Sequence, residues 1–145
     1  MAGANLPWVS YGNDFGASAW HPRGGLASNP ANLARLDEAF ARMEGDGLRH
    51  ARVFLLDDLR SGVRFAPDGT PLGLDEHFFA DVDAMLRAAH AHGVRITFAL
   101  FDFSLLDPAR VVNGVQMGGR SALVRDPAQR RALIENIVRP IFDRY

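Results

Sequence analysis

The sequence predicts an α/β fold made of three strand–loop–helix units whose strands run parallel. Three short, mainly apolar segments begin near residues 3, 51 and 94, and each is followed by a long loop and then by apolar residues at helical spacing. Such alternation needs a crossover connection after every strand, which makes the strands parallel. The repeating unit is about 45 residues because the loops after the strands are long.

The first unit begins with a short strand within residues 3–10, where Pro7 lies near the end and its missing N–H is tolerated. A glycine-rich loop over residues 11–28 follows. Asn29 and Pro30 predict the start of a helix, as N-cap and first helical residue. The apolar stripe of this helix comprises Leu33, Leu36, Phe40 and Met43.

The second unit begins with the apolar segment 51–56, which suits a strand buried in a parallel sheet. Its loop, residues 57–74, contains the turn signal Pro67-Asp68-Gly69. A helix is expected from about Asp75 to His92, ended by Gly93.

The third strand is predicted at residues 94–101, and another long loop extends to Arg125. Asp126 and Pro127 repeat the cap-and-proline start of a helix. Pro140 lies late in this last helix and is expected to kink or thin it.

Three such units make a partial (β/α)8 TIM barrel, since eight would need well over 300 residues (roughly eight times 45). A doubly wound sheet is the competing architecture. Residues 1–145 are expected to form the N-terminal portion of one barrel domain, with no internal boundary.

The composition argues against several classes of partner. The net charge of −1 disfavours nucleic acid, and all 16 basic residues are arginines scattered along the chain. No apolar run approaches the roughly 20 residues that span a bilayer, so no membrane partner is expected. The first residues do not resemble a signal peptide, which predicts either a cytoplasmic protein or a secreted one whose targeting segment is absent.

No cofactor or metal is expected. The chain has no cysteine, and the neighbouring His90 and His92 do not share a helical face. The glycine pairs at 24–25 and 118–119 lack the lysine and serine or threonine of a phosphate loop.

Functional groups of parallel α/β folds collect beyond the carboxyl ends of the strands, which selects three loops here. Aromatic rings beside carboxyl groups suit sugars, whose C–H faces stack on rings while their hydroxyls need hydrogen-bond partners. The residues chosen on this basis as substrate-binding candidates are Tyr11, Asp14, Trp20, Asp57 and Asp102.

Arg52 is a sixth candidate, because it lies within an otherwise apolar strand. A guanidinium buried there would need a carboxylate, and Asp14 or Asp102 could supply one. A structural ion pair and a solvent-exposed arginine are the alternatives.

No catalytic residue is predicted. The four glutamates, Glu38, Glu44, Glu76 and Glu135, all fall inside or at the start of predicted helices, away from the strand ends.

The order of several segments resembles clan A glycoside hydrolases, in particular cellulase-like members of family 5. The resemblance covers the whole chain and rests on segments 3–8, 47–55, 68–75, 88–103, 118–127 and 136–145. It implies a retaining (β/α)8 hydrolase acting on a β-linked oligo- or polysaccharide, with its acid/base glutamate in an Asn-Glu-Pro motif that is not present here.

The resemblance also implies that Arg52 supports the carboxylate of the nucleophile. Where many cellulases have a histidine after the third strand, this chain has Asp102 and Phe103. Without the two glutamates the chain is expected to be inactive alone.

Two other functions remain open. One is a non-catalytic carbohydrate-binding or interaction module, formed by a partial barrel that associates with itself or with the missing C-terminal part. The other is a different barrel enzyme, such as a sugar-phosphate isomerase or aldolase, which the absence of lysine and of a phosphate site disfavours.

Overall fold

The computed structural model describes residues 2–145 and contains the expected three-stranded parallel sheet. Its strands are β1 (Ala4–Asn5), β2 (His50–Phe54) and β5 (Arg95–Ala99), in the order β1-β2-β5. Val53 lies opposite Phe98 in the parallel pair of β2 and β5. The α/β partial-barrel prediction is therefore confirmed, although β1 is much shorter than residues 3–10.

The helices cover one face of this sheet. Ala51 and Val53 are fully buried, whereas Arg52, between them on the other face, is exposed. The core on the covered face includes Leu36 and Phe40 of helix α1 (Pro30–Gly45). Helix α2 (Phe78–Ala91) adds Phe78, Val82 and Met85.

The helix starts follow the sequence signals closely. The Asn29 side chain accepts a hydrogen bond from the N–H of Asn32, and Pro30 is the first residue of α1. Asp126 caps α4 (Pro127–Leu133) by accepting from the N–H groups of Ala128 and Gln129.

The last helix continues through Pro140 without stopping. A π-helical segment (Ile134–Val138) follows α4 and leads into α5 (Arg139–Arg144). Pro140 has no N–H to donate to the turn before it. The wider π-helical turn at that place accommodates the missing hydrogen bond.

Both later loops contain antiparallel hairpins that the sequence analysis treated as irregular. The first pairs β3 (Val63–Phe65) with β4 (Pro71–Leu74) across the expected Pro67-Asp68-Gly69 turn. The second pairs β6 (Arg110–Val112) with β7 (Val115–Met117). A 3-10 turn (Phe103–Leu106) and the short helix α3 (Ala122–Arg125) flank the second hairpin.

No helix within residues 2–145 combines the length and apolar character needed to cross a membrane.

Candidate functional site

The uncovered face of the sheet carries a row of polar side chains. Asn5, Arg52 and Thr97 lie side by side in the register of the three strands, and all three are exposed. Two residues before Arg52 on the same strand, His50 Nε2 lies 2.6 Å from Thr97 Oγ1. In a closed barrel this face would be the interior, so the polar row leads towards the barrel mouth.

An aromatic cluster lies where β1 and β2 end. The Trp8 ring stacks on Phe54, with ring centroids 5.9 Å apart, and meets Tyr11 edge-on at 5.3 Å. Tyr11 is 51% exposed. Trp8 is not among the six residues chosen from the sequence, because it falls inside the predicted strand within residues 3–10. The rule that selects residues at strand ends applies to Trp8 as well.

Arg52 lies on the uncovered face with its guanidinium 4.8 Å from the centre of the Phe54 ring. No ion pair in the described part of the chain includes Arg52. Of the alternatives for Arg52, the structure has the solvent-exposed arginine, and the pairing with Asp14 or Asp102 is not formed. The exposed face leaves the guanidinium hydrated, so it needs no carboxylate.

Asp57 and Asp102 come together at the carboxyl ends of β2 and β5. The N–H of Asp102 donates to the carbonyl oxygen of Asp57 at 3.1 Å, which holds the two residues next to each other. Burial, followed by the contact with Asp102, raises the pKa of Asp57 to about 8. Asp57 also adopts φ 52°, an unfavourable conformation that is typical of functional or tightly constrained positions.

Arg60 connects this acidic pair to Tyr11. Its Nη2 lies 3.1 Å from Asp57 Oδ2, and its Nη1 donates to the carbonyl oxygen of Tyr11 at 3.2 Å. The guanidinium lies 5.1 Å from the centre of the Tyr11 ring. Tyr11, Asp57 and Asp102 therefore belong to one connected group at the mouth.

Asp58 points to different partners and joins the second loop to the third. It is fully buried, accepts from Arg60 Nε at 2.6 Å and accepts from the N–H of Gly118 at 2.8 Å. Arg120 Nε donates to the main-chain oxygen of Asp58 at 2.8 Å. Asp58 is thus a structural carboxylate beneath the mouth.

Asp14 orders the first loop from inside. It is 2% exposed, and its two oxygens accept from the N–H groups of Val9 and Ser10, both at 2.7 Å. Burial raises the pKa of Asp14 to about 6 although these two hydrogen bonds oppose the rise. A sugar-binding role for Asp14 stays a prediction, and its contacts lie within its own loop.

Two carboxylates at the start of α2 hold the rest of the first loop. Asp81 is 1% exposed and accepts from the N–H groups of Gly16, Gly25 and Ala27. Asp75 accepts from the N–H of Ala17 at 2.6 Å. The signal for Asp81 was its position on the apolar face of α2, next to Phe78 and Val82.

Trp20 lies apart from the mouth cluster. Its Nε1 donates to the carbonyl oxygen of Val112 at 3.1 Å, which connects the first loop to the β6–β7 hairpin. The ring also lines an open pocket of about 410 Å³ with His21, Arg23 and Asn29. The described contacts therefore do not bring Trp20 to Tyr11, Asp57 and Asp102.

The glutamates lie away from the mouth. Glu38 and Glu44 are in α1, Glu135 is in the π-helical segment, and Glu76 lies two residues before the first residue of α2. No group of three or more potential metal ligands lies together within residues 2–145.

This chain is similar in sequence to one known protein and in fold to several solved structures. Mannan endo-1,4-beta-mannosidase from Mytilus edulis is 26% identical over 102 residues, which are 70% of this chain and 25% of that protein. The solved β-mannanase of the same mussel has a TM-score of 0.75 at 23% identity over 97% of this chain. The chain shares the fold of about a third of that solved protein, as a partial (β/α)8 barrel.

Other solved structures agree. The β-1,4-D-mannanase of Cryptopygus antarcticus gives a TM-score of 0.74 at 21% identity, and the β-1,4-mannanase of Aplysia kurodai gives the same values. Each match covers 97% of this chain but only 34% and 36% of those proteins. No family model matches the chain. The predicted resemblance to clan A glycoside hydrolases is confirmed, and the chain spans about a third of the solved proteins that it matches.

Proposed function

We propose that this chain is part of a retaining glycoside hydrolase that cleaves O-glycosidic bonds of a β-linked polysaccharide, with a β-1,4-mannan as substrate. The observation that carries the proposal is the sequence similarity to the mussel mannosidase, which extends over 70% of this chain. The comparison proteins with the same fold are mannanases as well.

The role of the chain within that enzyme is to form one side of the substrate cleft. Trp8 and Tyr11 offer aromatic surface for a sugar ring, and Arg52 is exposed beside them. Retaining hydrolysis needs two carboxyl groups about 5–5.5 Å apart, one as nucleophile and one as acid/base. Because the four glutamates of this chain lie on helices or, for Glu76, just before one, we expect both groups to come from the remainder of the barrel and the chain alone to be inactive.

The test is a chimera in which this chain replaces the corresponding third of the mussel mannanase. We expect hydrolysis of β-1,4-mannan by the chimera and none by this chain alone. Arg52→Ala should lower kcat at least tenfold, because the resemblance implies that this guanidinium supports the nucleophile. Arg35→Ala, an exposed arginine on α1, is the matched control and should leave the rate unchanged. Equal rates for both variants, or a folded chimera without mannanase activity, would contradict the proposal.

A second candidate function is a carbohydrate-binding or interaction module, favoured by an open apolar groove. The groove has a volume of about 490 Å³ and lies between α2, β5 and α5, where Phe142 is 68% exposed. Uncovered apolar surface of this kind favours association with another copy or with the rest of the barrel. Sedimentation at micromolar concentration distinguishes the cases, because a compact monomer would exclude self-association.

A further inference from the structure

The mouth contains two carboxyl groups, Asp57 and Asp102, that follow the paired strands β2 and β5. His50 lies opposite Arg95 and Phe54 opposite Ala99, an offset of 45 residues along the whole pair. Beyond the strand ends the pairing becomes irregular, because the adjacent Leu55 and Leu56 both donate N–H groups to this neighbour, at Ala99 O and Leu100 O. The N–H of Asp102 donates to Asp57 O at 3.1 Å, so the two residues adjoin just beyond the strand ends.

The hydrogen bonding of Asp57 is incomplete if both carboxyls are ionised. Its side chain is 3% exposed, and neither oxygen receives a hydrogen bond from a donor in the described residues. Arg60 Nη2 lies 3.1 Å from Asp57 Oδ2, which is an ion-pair contact without a hydrogen bond. Asp102, in contrast, accepts from both the N–H and the hydroxyl of Ser104.

The charges around the pair also require one proton. Three carboxyls meet here, Asp57, Asp58 and Asp102, and the cations that face them are Arg60 and Arg120. Arg60 is shared between two of them, since its Nε lies 2.6 Å from Asp58 Oδ1 and its Nη2 lies 3.1 Å from Asp57 Oδ2. With all three carboxyls ionised the group would carry one net negative charge, which is costly at this depth, whereas one added proton makes the group neutral.

We propose that Asp57 and Asp102 share a single proton, held by Asp57 and donated to Asp102, and that this hydrogen bond ties the ends of β2 and β5 together at the mouth. Asp57 is thus a positioning residue for the second and third loops. The inference does not depend on which sugar the whole protein binds.

The pKa values of the two groups agree with this assignment. Burial and the contact with Asp102 raise the pKa of Asp57 to about 8, against the opposing effect of Arg60. Burial would also raise the pKa of Asp102, but hydrogen bonds from Asp57 and Ser104 outweigh it and hold this pKa below its ordinary value. Asp57 therefore retains the proton at neutral pH.

The test is the pH dependence of unfolding in wild type, Asp57→Asn and Asp68→Asn, measured with denaturant and without sugar. A carboxyl whose pKa rises on folding takes up a proton, so the folding equilibrium constant falls up to tenfold per pH unit between the unfolded and folded pKa values. Asn at position 57 can donate the same hydrogen bond without titrating. We expect Asp57→Asn to remove most of this fall between pH 5 and 8, and the exposed turn variant Asp68→Asn to retain it.

A measurement on wild type alone covers the case in which Asp57→Asn does not fold. Infrared difference spectra should show the C=O stretch of one protonated carboxyl group at pH 7 and its loss as the pH passes 8. Absence of that band at pH 7, or an unchanged pH slope in folded Asp57→Asn, would overturn the proposal. Neither readout depends on hydrolysis, so this inference and the proposed function can fail separately.

Discussion

The His92 imidazole at the end of α2 bridges to α1, with Nε2 2.9 Å from Asp37 Oδ1. Its other nitrogen, Nδ1, lies 3.0 Å from Glu44 Oε2. A neutral imidazole has only one N–H, so two carboxylate partners favour the doubly protonated ring.

Stability should therefore fall as the pH rises through the titration of His92. The hydrogen bonds to Asp37 and Glu44 raise its pKa above 6.5, so its contribution is complete below the unfolded value and lost above the folded one. The same contact holds the pKa of Glu44 below its ordinary value, so Glu44 stays ionised throughout. Denaturant midpoints from pH 5.5 to 9 should fall less in His92→Gln than in wild type. His90→Gln, exposed on the same helix, should behave like wild type, and parallel curves for all three proteins would show that the contacts of His92 with Asp37 and Glu44 do not stabilise the fold.

Asp81→Ala should be strongly destabilising. It removes the acceptor of three backbone N–H groups in the first loop, and each buried unpaired group costs about 1–3 kcal/mol. We expect a loss of about 3 kcal/mol or more in the free energy of unfolding. Asp83→Ala, two residues along α2, breaks a partly exposed ion pair with Arg144 and should cost about 1 kcal/mol or less. Similar losses in the two variants would show that Asp81 does not hold the loop.

Gly62→Ala should be more destabilising than Gly69→Ala. Both glycines have positive φ, 74° and 85°, which costs an alanine roughly 1–2 kcal/mol. At Gly62 the added carbon would also lie 2.7 Å from Phe15 O and 2.9 Å from Phe78 Cδ2, whereas Gly69 faces open space. Thermal unfolding should show a gap of at least about 1 kcal/mol between them. Equal melting temperatures would mean that the first and second loops separate easily.

Trp20→Phe should loosen the β6–β7 hairpin. The substitution retains a ring but removes the Nε1 hydrogen bond to Val112 O. Hydrogen exchange at the hairpin amides should become faster, while amides of β2 and β5 keep their protection. Trp8→Phe is the matched control, because Trp8 contacts Phe54 and Tyr11 through its ring. Faster hairpin exchange in the control as well would assign the effect to the mouth cluster.

The parallel core was predictable because its signals are local. Asn29-Pro30 and Asp126-Pro127 each place a capping side chain and a proline at a helix start, and both helices begin there. The β6–β7 hairpin had an equally local signal that was overlooked. Asn113-Gly114 lies between short apolar runs and adopts positive φ at both residues, as a tight hairpin turn requires.

The site was predicted only in part because its contacts are not local. The strand-end rule correctly selected loops that bring Tyr11, Asp57 and Asp102 into one group. It could not show that Arg60 joins them, since Arg60 lies in a loop whose path has no periodic pattern. Nor could it show which face of β2 carries Arg52, because one residue of register decides that.

The carboxylates that shape the first loop have a kinetic consequence. Gly16, Ala17, Gly25 and Ala27 donate to Asp75 and Asp81, which are 54 to 65 residues away along the chain. Contacts at such separation form only after the intervening chain has closed. The loop should therefore fold late, once α2 has docked on the sheet. In pulse-labelling during refolding, these four amides should gain protection after those of β2 and β5, although the loop precedes both strands in the chain.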